Sequence, residues 1–115
     1  MKLPNANVAL VEREKITSYL LDSSHRFGAS KARFFMQFGF RVEDREMLAK
    51  AFREHAQRHE VSKETEKGFG PRYEIDAEID APDGRRLHIR TVWQLDHGQI
   101  APRLITAYPS AASHD

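Results

Sequence analysis

The sequence predicts an α+β domain, with two to three N-terminal helices packed on one face of a C-terminal antiparallel β-meander of three to four strands. Three observations predict it. Apolar residues recur at helical spacing as far as His59. From Pro71 the period switches to two: Tyr73, Ile75, Ala77 and Ile79 alternate with Glu74, Asp76, Glu78 and Asp80. Pro82-Asp83-Gly84 then reads as a three-residue hairpin loop, a type I turn with Gly in the left-handed position. That loop sets Ala81 against Arg85, so Ile79 faces Leu87, Ala77 faces Ile89, Ile75 faces Thr91 and Tyr73 faces Trp93. The apolar sets match, and on the other face Glu78 meets His88 and Asp76 meets Arg90.

Each element follows in order. Leu3 to Asn7 is an extended, turn-rich opening, and Val8, Leu10 and Val11 form a short strand or anchor the first helix. Glu12 to Leu21 reads as that helix, with Ile16, Tyr19 and Leu20 on one face. Ser23 to Ser30 is a polar loop carrying His25 and Arg26. Ser30 is a candidate N-cap for a short helix, KARFFMQF, which stops at Gly39, with Phe40 folding back across the Gly. Glu43 to about His59 is the longest helix, acidic at its start and basic at its end, with Met47, Leu48, Ala51, Phe52 and His55 as its buried stripe. Glu60 to Gly70 is charged and Gly-ended, which predicts a mobile surface connection, with a lid as the alternative. A fourth strand is expected from Val8 to Val11 or Phe40 to Val42, if one forms. His97-Gly98 suggests a second tight turn; pairing Asp96 with Gln99 sets Thr106 beside Ile89 and Leu104 beside Thr91. Pro102 cannot donate to a ladder, so the last strand starts after it or lies at an edge there.

At 115 residues the chain reads as one domain spanning 1–115, with a helical half over about 8–59 and a β half over about 71–109. A formal charge of +1 supplies no broad basic footprint for nucleic acid. There is no Cys, which excludes disulfides and thiolate chemistry and fits a cytoplasmic protein. No apolar run approaches the ~20 residues needed to span a membrane, and Pro4 and Asn5 interrupt any signal-like segment.

Four segments resemble those of a family of small uncharacterised bacterial proteins: Leu3-Pro4-Asn5-Ala6, the H-x-x-G-x-x-KA-x-FF run from His25 to Phe35, Thr91-Val92-Trp93, and Pro102 to Pro109. A His in a helical region followed by a meander ending in ITAYP also resembles, more distantly, the barnase, EndoU, colicin and RelE-like group of metal-independent ribonucleases, many of them bacterial toxins with small inhibitor proteins. That resemblance implies RNA as substrate, a small inhibitor (antitoxin or immunity) protein as partner, and no cofactor or metal; neither DNA nor membrane is expected as a partner. It also implies that a His, a Lys or Arg, and a Ser, Thr or Tyr from the last strands carry the cleavage.

Cleaving RNA without metal needs a base for the 2′-hydroxyl, an acid for the leaving oxygen and cations for the phosphorane. His25 is the acid–base candidate, in a polar loop beside Arg26 and close to a helix start that favours an anion. Lys31, in that helix's first turn, opposes the helix dipole and is the matching cation. Thr106 completes the catalytic set; Arg103 and Arg26 can contact phosphate, and Tyr108 can stack a base. Plainer readings stand beside these. His25 and Lys31 are ordinary surface groups, Arg90 is a cross-strand partner of Asp76, Trp93 is a core aromatic, and Thr106 and Tyr108 are core residues with satisfied hydroxyls. His55 and His59 have an i,i+4 spacing that can bind metal, but nothing in the sequence completes the set.

Two features argue for a different class of function. The acidic strip Glu74, Asp76, Glu78 and Asp80 repels RNA and suits a basic protein partner, which favours a non-enzymatic interaction module, antitoxin- or immunity-like. The expected register also turns Thr106 and Tyr108 to the apolar face and Arg103 to the charged one. The last strand then cannot offer all three to one site without a bulge or twist.

Overall fold

The computed structural model describes residues 1–12 and 29–110; the side chains of residues 29–32 and 42 lie outside the description. Helix α1 is Ala29–Gln37 and helix α2 is Arg45–Arg58, preceded by a single 3-10 turn at Val42–Asp44. Four strands follow: β1 (Lys63–Lys67), β2 (Gly70–Asp80), β3 (Arg86–Gln94) and β4 (Arg103–Pro109). They form one antiparallel sheet in the order β1-β2-β3-β4. The expected α+β class is therefore the observed one, with a helical part followed by a meander. The helix predicted over Glu12 to Leu21 falls outside the described residues.

Helix α1 stops where Gly39 permits it. Gly39 has φ 100°, its N–H donates to Met36 O, and the Phe40 N–H reaches back to Phe35 O. This is the paired closure of a helix whose C′ residue is left-handed. It folds the Phe40 ring against Phe35 at 6.1 Å between centroids, as expected from the order of residues. Ser30 already lies within the described helix, Ala29–Gln37, and so does not cap it. Phe35 also meets Phe52 of α2 edge-on at 5.6 Å, joining the two helices through buried aromatics.

In α2 the buried residues are Leu48, Ala49, Phe52, His55 and Ala56. Met47 is exposed and Ala51 only half-buried, so the stripe is rotated by one position from the predicted one. The reason is shape: Leu48, Phe52 and His55 lie at i, i+4 and i+7, and the small Ala49 and Ala56 let the helix sit close to the sheet.

The β2–β3 hairpin matches the expected register pair for pair, from Tyr73↔Trp93 to Ile79↔Leu87. Its turn is the predicted one: Gly84 N–H donates to Ala81 O, Ala81 N–H to Arg85 O, and Gly84 has φ 91°. Arg85 then ties the turn to α1, its guanidinium 4.0 Å from the centre of the Phe38 ring and donating to Gln37 O at the helix end.

Three expectations are corrected. The fourth strand is neither Val8 to Val11 nor Phe40 to Val42. Ala6–Val8 is a 3-10 turn, and Leu10 makes a single parallel bridge to Arg103. The fourth strand comes instead from the stretch read as a mobile connection or lid: β1, KETEK, pairs with Gly70 to Glu74. Its charged composition hid it, because an edge strand is stabilised by one neighbour's backbone and gains nothing from apolar side chains on its outer rim. The third correction is the register of β4. The turn at Gly98 exists, with Gln99 N–H bonded to Asp96 O, but the strand does not zip up from it. Leu95 and His97 donate to Pro71 O and Phe69 O, which draws residues 95–102 toward the start of β2. Thr106 consequently pairs with Val92, and Leu104 with Trp93.

Candidate functional site

The sheet has two unlike faces. On one, Thr91 reaches the His55 side chain of α2: its Oγ1 lies 3.1 Å from His55 Nδ1 and accepts from Trp93 Nε1 at 2.9 Å. Alternation along β3 places His88, Arg90, Val92 and Gln94 on the other face. Cross-strand partners share a face, so this second face is a grid of rows running from β2 through β3 to β4. Glu78, His88 and Ser110 form one row, and Asp76, Arg90 and Tyr108 the next. Glu74, Val92 and Thr106 follow, then Arg72, Gln94 and Arg103.

The third and fourth rows meet at an irregularity that removes the conflict posed by the sequence. Val92 pairs with Thr106 but Trp93 pairs with Leu104, so Ile105 is the extra residue of a β-bulge. On the core side the bulge lets Leu104 and Ala107, three apart, both bury. On the polar side it brings Arg103 into the same face as Thr106 and Tyr108. The regular alternation expected from the sequence divided these three; the bulge gathers them. Thr106 and Tyr108 are accordingly half-buried on the polar face and are not core residues.

Charges on this face are organised in pairs. Arg90 binds Asp76 through two parallel hydrogen bonds of 2.8 and 3.0 Å and reaches Glu74 at 3.3 Å. Burial works to raise the Asp76 carboxyl, but the Arg90 bonds and charge, with a hydrogen bond from Ser110, outweigh it and hold the group below the usual carboxylate range. The same bonds to Asp76, with one to the Tyr108 hydroxyl, hold the Arg90 guanidinium firmly protonated. Arg103 donates to Asp96 at 3.0 Å, and Arg86 lies 3.3 Å from Asp80 and 3.9 Å from Glu78. Each carboxylate of the acidic strip thus has an arginine of β3 within 4 Å, two guanidiniums serving four carboxylates.

Of the sequence-predicted site residues, Arg103, Thr106 and Tyr108 come together on the polar face. Lys31 lies in the first turn of α1. His25 and Arg26 fall outside the described residues. Among the described residues no group of three His, Asp or Glu side chains could hold a metal ion. His55 is engaged on both ring nitrogens, by Thr91 and by Ala77 O, and stands 5.5 Å from His59 between ring centres. The sequence reading missed His88 and Ser110. Their signal was the alternation Arg86-x-His88-x-Arg90, which sets two arginines and an imidazole on one face of one strand. No helix among the described residues is long and apolar enough to cross a membrane.

A model of a domain of unknown function, DUF6883, matches residues 2–111. The chain belongs to the DUF6883 family. No curated protein matches the DUF6883 chain. Among solved structures, the fold of this DUF6883 domain is similar to a chain in the contact-dependent growth inhibition toxin–immunity protein complex from Klebsiella pneumoniae 342. The two superpose with a TM-score of 0.70 at 15% identity, over 93% of this chain and 97% of that one.

Proposed function

We propose that this DUF6883 protein is a metal-independent endoribonuclease serving as the toxin of a bacterial conflict or toxin–antitoxin system, with RNA bound across the polar face at β4. The observation that carries this reading is the bulge at Ile105, which gathers a guanidinium, a hydroxyl and a phenol on one side of one strand. In this reading Arg103 and Arg26 hold phosphate and Tyr108 stacks on a base. Thr106, Lys31 and His25 serve the reacting centre, and cleavage leaves a 2′,3′-cyclic phosphate. The pairing of the acidic strip with Arg86 and Arg90 supports it, since two guanidiniums halve the charge of the four carboxylates and so weaken the repulsion of RNA. The shared fold with a chain of a toxin–immunity complex supports a conflict-system role.

The test is incubation of purified protein with bulk RNA in EDTA. Wild type is expected to fragment the RNA, and His25→Ala and Thr106→Ala to do so about 100-fold more slowly. RNA left intact by well-folded wild type overturns the reading. One observation favours a second reading, a binding module of the antitoxin or immunity kind. Both Arg90 and Arg103 are already held by carboxylates, which suits recognition of a protein surface by a fixed charge pattern. That reading predicts intact RNA together with a stoichiometric complex with a protein encoded beside it.

A further inference from the structure

We propose that His88 is the general base of the polar face, positioned by Ser110 and served by Arg86 as a further phosphate-binding cation. This inference rests on the ribonuclease reading and assigns it a catalytic residue among the described side chains.

His88 is fixed from two directions. Ser110 N–H donates to His88 O at 3.1 Å, locking the end of β4 beside it, and the Ser110 hydroxyl lies 2.9 Å from His88 Nδ1. Ser110 in turn hydrogen-bonds Asp76. Asp76 is the carboxylate clamped by Arg90. The chain His88–Ser110–Asp76–Arg90–Tyr108 thus holds one imidazole nitrogen in place. Among the described residues the other nitrogen, Nε2, has no hydrogen-bond partner. His88 is half-buried, neither sealed in the core nor waving in solvent.

Its neighbours divide the remaining work. The groups facing it are Glu78 on β2, Tyr108 of β4 and Ser110 just past its end, Asp76 diagonally, and Arg86 and Arg90 two residues away on either side along β3. Arg90 is committed to Asp76 and Glu74 and acts as a fixed structural cation. Arg86 is different: 70% exposed and held only at 3.3 and 3.9 Å, it can offer its free N–H groups to a phosphate while staying beside Asp80 and Glu78. Alternate residues of a strand lie ~6.8 Å apart, so a phosphate on Arg86 brings the attached ribose to the neighbouring imidazole. In the step, the 2′-hydroxyl proton passes to His88 Nε2 as O2′ forms a bond to phosphorus. The P–O5′ bond breaks with its electron pair on O5′, which takes a proton from the acid of the proposed reacting centre, and the imidazolium returns its proton to solvent.

The experiment compares wild type, His88→Asn, His88→Gly, Ser110→Ala and Arg86→Ala in RNA cleavage with EDTA present. An Asn side chain can keep the Ser110 bond at the place of Nδ1 but has nothing at Nε2. The expected result is a loss of kcat of about 100-fold or more in His88→Asn and recovery of His88→Gly by added imidazole. Arg86→Ala is expected to raise KM with little change in kcat, and Ser110→Ala to cost about tenfold in kcat. Wild-type cleavage matched by His88→Asn overturns the proposal and leaves the ribonuclease reading standing, whereas wild type that cleaves no RNA overturns both. Should the His88 variants not fold, imidazole NMR signals of wild type are followed while a 2′-O-methylated RNA oligonucleotide is added. A His88 signal that moves on binding supports the proposal, and one that stays fixed overturns it.

Discussion

At the scale of a residue, His55 shows what burial does to an ionisable side chain. Its Nε2 faces Ala77 O, which can only accept, so that nitrogen carries the proton. Nδ1 is then the acceptor for the Thr91 hydroxyl, which itself accepts from Trp93. A neutral imidazole satisfies the whole network and an imidazolium breaks it. Burial, followed by the opposing effect of the Ala77 bond, lowers the His55 pKa to about 4. The unfolded chain binds this proton below pH 6.5 and the folded one only below about 4, so stability is lost as pH falls through that window. The full difference is about 3 kcal/mol. Urea unfolding from pH 7 to 4 is expected to show that loss in wild type. His55→Gln, which can still donate to Ala77 O, is expected to lack this component; the loss due to Asp76 sets in mainly below about pH 4, as pH falls from the unfolded carboxyl's value toward its lowered folded one, and so lies outside this range. Identical pH slopes for the two proteins would remove this account of His55. The sequence placed His55 in the buried stripe of its helix and also at metal-binding spacing from His59. The residues opposite it, Thr91 and Ala77, show that it is a core hydrogen-bonding group.

At the scale of an element, what was legible depended on how local its cause is. The β2–β3 hairpin was legible because three residues, Pro82 to Gly84, set the turn and period-two patterning sets the rest. The end of α1 was legible for the same reason, resting on Gly39 and the Phe residues on either side of it. β1 was not, since KETEK owes its conformation to the backbone of Gly70 to Glu74. Nor was the path into β4, decided by long-range bonds: Leu10 N–H to Pro102 O, Leu104 N–H to Leu10 O, and Leu95 N–H to Pro71 O. Gly70 stands where these elements converge. Its φ is 135°, and a Cβ there would lie 2.1 Å from Leu95 O, a backbone atom that cannot swing aside. Gly70→Ala is therefore expected to cost about 3 kcal/mol, combining backbone strain and overpacking. That corresponds to a fall in Tm of about 15 °C, measured by thermal denaturation. Gly68→Ala is the control: nothing lies within 4 Å of its Cβ, so little change is expected.

At the scale of the whole molecule, the sheet separates two kinds of work. Its core face carries Ile75, Ile79, Leu87, Ile89, Trp93, Leu104 and Ala107 against Leu48 and Phe52 of α2. Its polar face carries the paired charges and the residues assigned above to RNA. β4 serves both, and the bulge at Ile105 makes this possible by letting Leu104 and Ala107 point inward while Arg103, Thr106 and Tyr108 share the other side. The division implies a separable outcome within one strand. Leu104 is 2% exposed, so Leu104→Ala leaves a cavity and is expected to cost about 2–5 kcal/mol. Below its lowered Tm the folded protein keeps its polar face, and cleavage per folded molecule is expected to stay near the wild-type rate. Arg103→Ala lies immediately beside it and removes only a rim ion pair, worth about 1 kcal/mol or less. Under the proposed function it weakens RNA binding without moving Tm by more than a few degrees. Parallel measurement of Tm and of RNA cleavage at a temperature where both variants are folded checks this. If Leu104→Ala and Arg103→Ala lose stability and activity in the same proportion, the two faces are not independent and the bulge does not divide them.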